Sequence, residues 1–318
     1  MWVDVFNGDA DGLCALHQWR LAHPGASRKI TGVKRDVRLL ERVHAERGDL
    51  VTVFDVSLRD NRADALRLLS AGVRLTYFDH HESAQLPAAP GLELHLDPSP
   101  DVCTSLLVDR ALGGAYRAWA VVAAFGDNLD AVAARAAEPL GLASGELAAL
   151  AELGRLLNYN AYGDTPADLH FHPEALYEAL REFPDPLRCW RECAPVARLR
   201  AAYAQDWARA AAVPPRLETP GALAVLLPGE PWARRIHGAL ANDLSARNPR
   251  RAVAVLVENA DGTVRISVRA PRTRPFGADL LCRAFPTGGG RALAAGISNL
   301  PRSRLDEFLA RVEQAFAP

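Results

Sequence analysis

Two consecutive histidines stand between carboxylates in Asp79-His80-His81-Glu82, directly after the apolar run 74–78. That run is rich in strand-forming residues, so it predicts a buried strand that ends in polar side chains. Packing does not require such residues at a strand end, whereas imidazole and carboxylate ligands together suit a divalent transition metal ion. For this segment alone, a surface triplet without function is the alternative interpretation.

Two upstream segments have the same design. The apolar run 3–6 leads into an Asp-x-Asp-Gly sequence at Asp9 and Asp11, and the apolar run 50–54 ends at Asp55. In open α/β sheets, ligands bind outside the carboxyl ends of the strands. Aspartates brought there by neighbouring strands would repel one another in a partly buried site, and a cluster of cations would relieve that repulsion. The pattern therefore predicts a site for a pair of metal ions.

The elements that must position these residues are predicted by alternating strand and helix patterns. Strands are expected at 2–6, 29–33, 50–56 and 75–79, with helices between them at 12–20, 37–45 and 62–71. This alternation predicts a parallel, doubly wound sheet, with 92–96 as a half-buried edge strand. From 105 to about 203 the pattern becomes helical, and the apolar helix 118–125 would deliver Asp127 into the site.

The segment 211–221 is the clearest linker, because it contains a pair of prolines between a helical region and a new strand. Beyond it, strands are expected at 222–227, 252–258 and 264–269, and helices at 232–247, 275–285 and 304–316. The last two strands would form a hairpin around Asp261-Gly262. The sequence thus predicts an N-terminal catalytic domain, 1–210, and a smaller α/β domain, 222–318, with the active site in the cleft between them.

In this order, the motifs resemble those of the DHH phosphoesterase superfamily, which includes RecJ-like exonucleases, NrnA-type oligoribonucleases and manganese pyrophosphatases. The corresponding segments are Asp9-Ala10-Asp11-Gly12, Asp55, Asp79-His80-His81 and Gly126-Asp127-Asn128. The segments that resemble the Gly-Gly-Gly-His…Ala-Ala-Gly signature of the DHH-associated C-terminal domain are Gly288-Gly289-Gly290-Arg291 and Ala294-Ala295-Gly296. Any one motif is weak, but five in register over nearly the whole chain are specific.

The resemblance implies a ligand set for two metal ions. Asp9 would bind one ion, Asp11 would bind the other, and Asp55 would bridge both. His80 and Asp127 would complete the ligands of the second ion. Mn²⁺ is the expected ion because mixed carboxylate and imidazole ligands suit it, with Mg²⁺ or Co²⁺ as alternatives.

Catalytic roles are also implied by the resemblance. Asp55 would help to hold two ions about 3.5–4 Å apart, a separation at which they activate water and stabilise the attacking and leaving oxygens. His81 would point at the scissile phosphate as an electrostatic stabiliser or a proton donor. Asp79 would orient His80 through a hydrogen bond.

Substrate binding is expected in the second domain. Gly288, Gly289 and Gly290 would form a loop whose backbone N–H groups approach a phosphate closely, which side chains would prevent. Arg269 and Arg291 are candidate contacts to a phosphate or a base. For the glycine triplet alone, a flexible turn is the alternative.

Two positions depart from the family pattern. Many members have a histidine ahead of the first aspartate as a metal ligand, whereas Val5 and Asn7 stand at the two spacings in use. Asn7 would offer a weaker carbonyl oxygen, so the first ion would bind loosely or carry more water. Arg291 replaces the usual histidine after the glycines, which retains anion binding but leaves the choice of substrate open.

Composition and charge limit the function classes. The 318 residues carry 37 basic and 38 acidic side chains, so the broad basic footprint of a protein that tracks long nucleic acids is missing. Basic residues concentrate at 265–304, where we expect a phosphate-binding face for short substrates, with an ordinary arginine-rich surface as the alternative. The five cysteines lack zinc-type spacing and are interpreted as reduced. Without a signal-like segment, we expect a cytoplasmic protein that does not bind membranes and is able to form a homodimer.

We interpret the sequence as a manganese-dependent phosphodiesterase for short single-stranded oligonucleotides or related nucleotides. Alternatives on the same fold are a pAp-type small-nucleotide phosphatase, a cyclic-dinucleotide phosphodiesterase, or a nucleotide- or nucleic-acid-binding protein with a degraded metal site. A haloacid-dehalogenase-type phosphatase also begins with a strand and Asp-x-Asp-Gly. In that family Thr or Val is usual where Leu13 stands, a catalytic lysine has no evident candidate, and the two histidines would be unexplained.

Overall fold

The computed structural model describes residues 1–82 and 85–317, so Pro318, counted above in the second domain, lies outside the described residues. The chain divides into two compact units, the first ending at Ala201 and the second beginning at Ala202. The division falls within the helix Ala194–Ala211, and the expected linker 211–221 contains a short strand, Leu217–Glu218. Within the described residues, no helix is long and apolar enough to cross a membrane.

The first unit contains a parallel sheet. Its strands are β1 (Trp2–Asn7), β2 (Arg28–Gly32), β3 (Leu50–Phe54), β4 (Arg74–Asp79) and β5 (Leu92–Leu96). Their order across the sheet is β2-β1-β3-β4-β5, and each neighbouring pair is parallel. The parallel sheet predicted from the sequence is confirmed, with residues 92–96 at its edge.

Packing in the core of this unit accounts for the apolar residues of the strands but not for the acidic residues that follow them. β1 is buried from Val3 to Asn7, and β3 is buried from Val51 to Phe54. Nearly continuous apolar strands are typical of parallel sheets that helices cover on both faces. The buried acidic groups that follow these strands, Asp9 and Asp55, therefore call for an explanation other than packing.

Helices connect and follow these strands. They are α1 (Ala10–Ala22), α2 (Arg62–Ser70), α3 (Thr104–Ala111), α4 (Arg117–Gly126), α5 (Asp130–Ala137), α6 (Ser144–Ala161), α7 (Pro173–Leu180), α8 (Pro186–Glu192) and α9 (Ala194–Ala211). The helical character predicted from 105 to about 203 is confirmed. The last of these helices extends into the second unit.

The helix predicted at 37–45 is wrong, because only a short 3₁₀ turn, Leu39–Arg42, forms there. The buried Asn61 side chain accepts the N–H of Leu40 at 3.1 Å and donates to the carbonyl oxygen of Val37. Backbone groups that a helix would pair internally are thus satisfied by a side chain that is distant in sequence.

The second unit contains a mixed sheet. Its elements are β6 (Leu217–Glu218), β7 (Ala222–Leu227), α10 (Pro231–Arg247), β8 (Ala252–Glu258), β9 (Thr263–Arg269), α11 (Ala278–Arg283), β10 (Gly288–Gly290), β11 (Ala294–Pro301) and α12 (Leu305–Ala315). The strand order is β10-β11-β9-β8-β7-β6, with β7 and β8 parallel and the other pairs antiparallel. The predicted hairpin is confirmed as β8 and β9.

The glycine run in this unit is a strand and not the loop predicted from the sequence. Gly288, Gly289 and Gly290 form β10, which pairs with residues 295–297 of β11. The prediction was wrong because the edge of β11 offers hydrogen-bonding partners to these backbone groups. Pairing leaves one side of β10 as a sheet edge.

Candidate active site

Three parallel strands bring acidic or imidazole side chains to the carboxyl end of the first sheet. β1 is followed by Asp9, β3 is followed by Asp55, and β4 ends at Asp79, immediately before His80. Because these strands are adjacent and parallel, their ends meet, and Asp55 Oδ1 lies 3.4 Å from His80 Nε2. Asp55 has a φ of 57°, a left-handed conformation that is uncommon outside glycine and that concentrates at functional sites.

The first two aspartates are held by helix N-termini. Asp9 is the N-cap of α1, and its Oδ1 accepts the backbone N–H groups of Asp11 at 3.0 Å and Gly12 at 3.1 Å. The two carboxylate oxygens of Asp11 accept the N–H groups of Thr104 and Ser105, each at 2.7 Å, where α3 begins. Both carboxylates therefore gain from a helix dipole, which favours negative charge at the N-terminus.

Asp127 reaches the site from the end of a helix. It follows α4 directly, and its N–H donates to the carbonyl oxygen of Ala123 at 2.9 Å. The preceding Gly126 allows α4 to approach α1 closely, because a Cβ added there would lie 2.4 Å from the Cβ of Ala10. Asp127 Oδ2 lies 3.6 Å from His80 Nε2, so the structure brings Asp127 to the strand residues, where the sequence analysis expected it.

His80 is oriented by the main chain. Its Nδ1 lies 2.8 Å from the carbonyl oxygen of Val102, which only accepts, so Nδ1 carries a hydrogen. The other ring nitrogen, Nε2, faces carboxylate oxygens of Asp55 at 3.4 Å, Asp127 at 3.6 Å and Asp11 at 4.0 Å. A ring nitrogen that faces three carboxylates requires a cation between them, either a proton or a metal ion.

The clustered carboxylates perturb the pKa values of the site. Burial, followed by the charge of Asp127, raises the pKa of Asp11. Burial, followed by the charges of Asp9 and Asp11, raises the pKa of Asp55 well above its usual range. Burial alone would lower the pKa of His80, but the hydrogen bond to Asp55 and the neighbouring carboxylates outweigh it and raise this pKa to about 10. Without metal, His80 therefore holds a proton where an ion would bind.

These residues form two overlapping groups of potential metal ligands. The ligand atoms of Asp11, His80 and Asp127 lie within 4.8 Å of one another, and so do those of Asp55, His80 and His81. A histidine whose second nitrogen donates to a carbonyl group, together with carboxylates, is a typical donor set for a divalent transition metal. The residues that the resemblance assigned to the second ion are therefore together.

Two residues of this site were not foreseen from the sequence. The Thr104 hydroxyl donates to Asp55 Oδ1 at 3.2 Å. Lys34 Nζ lies 2.5 Å from Asp9 Oδ2 and 3.3 Å from Asp127 Oδ1. The charges of Asp9 and Asp127 outweigh the effect of burial and raise the pKa of Lys34 well above its usual range, so the group is positively charged. The signal that could have revealed Lys34 is that the chain has two lysines among 37 basic residues.

Asn7 and Asp9, which were assigned to the first ion alone, are engaged in other contacts and do not fit a metal site. The Asn7 amide, expected to offer a ligand oxygen, donates through Nδ2 to the carbonyl oxygen of Lys34 at 3.2 Å and accepts the N–H of Asp9 at 3.3 Å. Asp9 Oδ1 caps α1, and Asp9 Oδ2 pairs with the Lys34 ammonium. We therefore assign no chemical step to an ion at this position.

Asp79 orients a different histidine from the one expected. Asp79 Oδ1 lies 2.6 Å from His81 Nδ1, and Asp79 Oδ2 accepts the N–H of Leu58 at 3.1 Å. The expectation that Asp79 orients His80 is wrong, because the carbonyl group of Val102 already occupies His80 Nδ1. The side chain of His81 is 44% exposed, so it is accessible to a substrate while a buried carboxylate holds it in place.

The residues expected to bind substrate lie in the second unit. Arg291 begins the turn between β10 and β11, where its N–H donates to the carbonyl oxygen of Ala294 at 2.9 Å and its side chain is exposed. Arg269 ends β9, opposite Ala294, and its Nε donates to Asn242 Oδ1 at 2.8 Å. Thr287, just before the glycines, has a φ of 60°, which is strained for a β-branched residue. The glycines and Arg291 thus share one hairpin.

Comparison with known families identifies the second unit. Residues 219–317 match the family model of the DHHA1 domain. No curated protein matches the chain.

Solved structures match the whole chain at low sequence identity. The exonuclease RecJ bound to manganese has a TM-score of 0.62 and 20% identity, with 98% of this chain and 89% of RecJ covered. A DHH domain from a protein described as a member of a ribosomal protein family has a TM-score of 0.65 and 14% identity, covering 98% of this chain and 85% of that one. PggH from Vibrio cholerae, described as a pGpG-specific phosphodiesterase, has a TM-score of 0.57 and 14% identity, with 99% of each chain covered.

The chain therefore has the α/β fold of the RecJ-like DHH proteins, with helices around one parallel sheet and a second sheet in the C-terminal region. The DHHA1 match of residues 219–317 and the RecJ-like fold agree with the resemblance to the DHH superfamily that the sequence motifs indicated.

Proposed function

We propose that this chain is a divalent-metal-dependent hydrolase of phosphoric esters that uses Mn²⁺ and acts on short single-stranded oligonucleotides or related nucleotides. One observation carries the proposal. His80 Nε2 faces three carboxylates while a carbonyl group holds Nδ1, an arrangement that prepares a ligand for a divalent ion. Neighbours of the same fold include an exonuclease bound to manganese and a phosphodiesterase, which supports the same chemistry.

The residues around His80 would have different roles in the reaction. A divalent ion bound there would lower the pKa of a coordinated water and stabilise charge on the phosphate oxygens. Thr104 would hold Asp55 Oδ1 through its hydroxyl group. His81, with Nδ1 directed at Asp79, would present Nε2 to the substrate and donate a proton to the leaving oxygen or stabilise its charge.

A dinucleotide is the second candidate substrate. The match covers 99% of PggH and 99% of this chain, so the two matched chains have nearly the same length. This observation, together with the balanced charge of 37 basic and 38 acidic residues, favours short substrates over long nucleic acids. A cytoplasmic location and a homodimer stay predictions from the sequence.

The test is hydrolysis of 5′-labelled RNA and DNA oligomers of two to twenty nucleotides, with pGpG included, in Mn²⁺ and after chelation. We expect Mn²⁺-dependent conversion of the short oligomers to mononucleotides. Asp55→Asn is the matched inactive variant, because asparagine tolerates the left-handed φ of 57° at this position and retains the side-chain shape. Its turnover should fall by at least about 100-fold, in line with the loss of a positioned electrostatic group.

The outcomes separate the alternatives. Turnover of dinucleotides alone would identify a dinucleotide phosphodiesterase, whereas turnover across the length series would identify an oligonucleotide nuclease. Binding of an oligonucleotide without turnover at any length would refute the enzymatic proposal and favour a binding protein. Activity that survives chelation, or that Asp55→Asn retains, would refute the metal-dependent mechanism.

A further inference from the structure

The Lys34 ammonium contacts Asp9, the residue that the family resemblance assigns to the first metal ion. Lys34 Nζ lies 2.5 Å from Asp9 Oδ2, 3.3 Å from Asp127 Oδ1 and 3.4 Å from Asn158 Oδ1. The ring of Tyr162 adds a cation–π contact, with its centroid 5.7 Å from the same nitrogen. Two carboxylates, an amide oxygen and an aromatic face thus surround this one cation.

The backbone of Lys34 is anchored as firmly as its side chain. Its N–H donates to the carbonyl oxygen of Ala161 at 3.0 Å, and its own carbonyl oxygen accepts from Asn7 Nδ2 at 3.2 Å. Lys34 follows β2, which lies beside β1, so it stands at the carboxyl end of the sheet, as Asp9 does. The asparagine at the expected ligand position therefore holds the lysine in place.

Asp127 connects the ammonium with the proposed metal site. Its Oδ1 contacts Lys34 Nζ at 3.3 Å, whereas its Oδ2 faces His80 Nε2 at 3.6 Å. In a dinuclear centre a carboxylate bridges two metal ions, and here it bridges an ammonium and the site of a single ion. A divalent ion at Asp9 Oδ2 would lie within a few ångströms of the ammonium, and like charges repel strongly in a partly buried site.

We propose that Lys34 replaces the first metal ion, so that this chain has a mononuclear centre in which a lysine supplies the other positive charge. The oxygens of Asp9 are engaged by backbone N–H groups and by Lys34, and the amide of Asn7 is hydrogen-bonded to the backbone, so neither residue is free to bind an ion at the first position. A lysine suits this place better than an arginine, because its ammonium is a compact point charge that three oxygens surround more readily than a planar guanidinium. This inference rests on the proposed function for the remaining metal site.

The experiment is a Mn²⁺ titration of the full chain, with bound ions counted by equilibrium dialysis and elemental analysis. Low-temperature electron paramagnetic resonance would report whether bound ions are isolated or coupled. We expect one ion per chain with the spectrum of an isolated Mn²⁺. Lys34→Met removes the charge and should bind a second, spin-coupled ion at least about tenfold more tightly than the wild-type chain. Lys34→Gln should behave in the same way and serves if the methionine variant does not fold.

Lys29→Met is the matched control, because Lys29 pairs with Glu178 at 2.9 Å and should leave the count at one ion per chain. Two coupled ions in the wild-type chain would overturn the inference while leaving the metal-dependent function intact. An unchanged count in folded Lys34→Met and Lys34→Gln would also overturn it. No Mn²⁺ bound to the wild-type chain would refute the metal site itself and the inference with it.

Discussion

Metal binding should depend steeply on pH because an ion and a proton compete for His80. Burial opposes the charged imidazole, but the hydrogen bond to Asp55 and the nearby carboxylates raise its pKa from 6.5 to about 10. Between these two values, the metal-free site holds a proton that an incoming ion must displace. The apparent affinity for Mn²⁺ should then rise about tenfold per pH unit, or about 2.7 kcal/mol from pH 6.5 to 8.5. Asp55, whose pKa is also raised, would add to this dependence.

The assay measures the Mn²⁺ dissociation constant at a series of pH values. Free Mn²⁺ is quantified by its electron paramagnetic resonance signal. The slope of this pH dependence gives the number of protons released per bound ion. His80→Gln should reduce that number by about one, since the group that titrates is gone. His44→Gln, at an exposed position, is the matched control and should leave the slope unchanged. Equal slopes in the wild-type and His80→Gln chains would refute the assignment of the displaced proton to His80.

The raised pKa of His80 also predicts how the stability of the metal-free chain depends on pH. A folded-state pKa above the unfolded value stabilises the fold fully below the unfolded pKa, and the contribution is lost as the pH rises through the folded pKa. For His80 the loss should run from about pH 6.5 to about 10. Thermal melting of the metal-free chain should show this loss, and His80→Gln should remove that part of the pH dependence.

Two further predictions concern groups outside the metal ligands. Asp79→Asn should lower kcat about 10- to 100-fold with little change in Mn²⁺ affinity, because Asp79 holds His81, which we propose acts on the substrate and does not bind the ion. Loss of Mn²⁺ binding in this variant would contradict that role. Arg291→Ala should raise KM more than it lowers kcat, since its exposed side chain is the expected phosphate contact. Arg250→Ala, at an exposed position outside the basic stretch 265–304, is the control, and an unchanged KM in Arg291→Ala would remove Arg291 from the substrate site.

The strands and the site residues that follow them could be predicted because their signals are local. A run of apolar, strand-forming residues that ends in Asp55, or in Asp79 and His80, can be recognised without knowing what packs against it. The predicted helix at 37–45 failed for the opposite reason. There the distant Asn61 side chain satisfies the backbone at Leu40, which no local pattern reveals.

The sequence by itself determined that several carboxylates and two histidines would meet at the ends of parallel strands, because strand type and polarity follow from composition and alternation. Only the tertiary structure decided which cations and hydrogen bonds these groups acquire. Lys34 joins Asp9 because β2 lies beside β1, and it meets Asn158 from α6, 124 positions away. Which strand lies next to which depends on long-range packing and not on local preference. For that reason, the motif indicated two metal ions, whereas the fold brings Lys34 against Asp9, the residue expected to bind one of them.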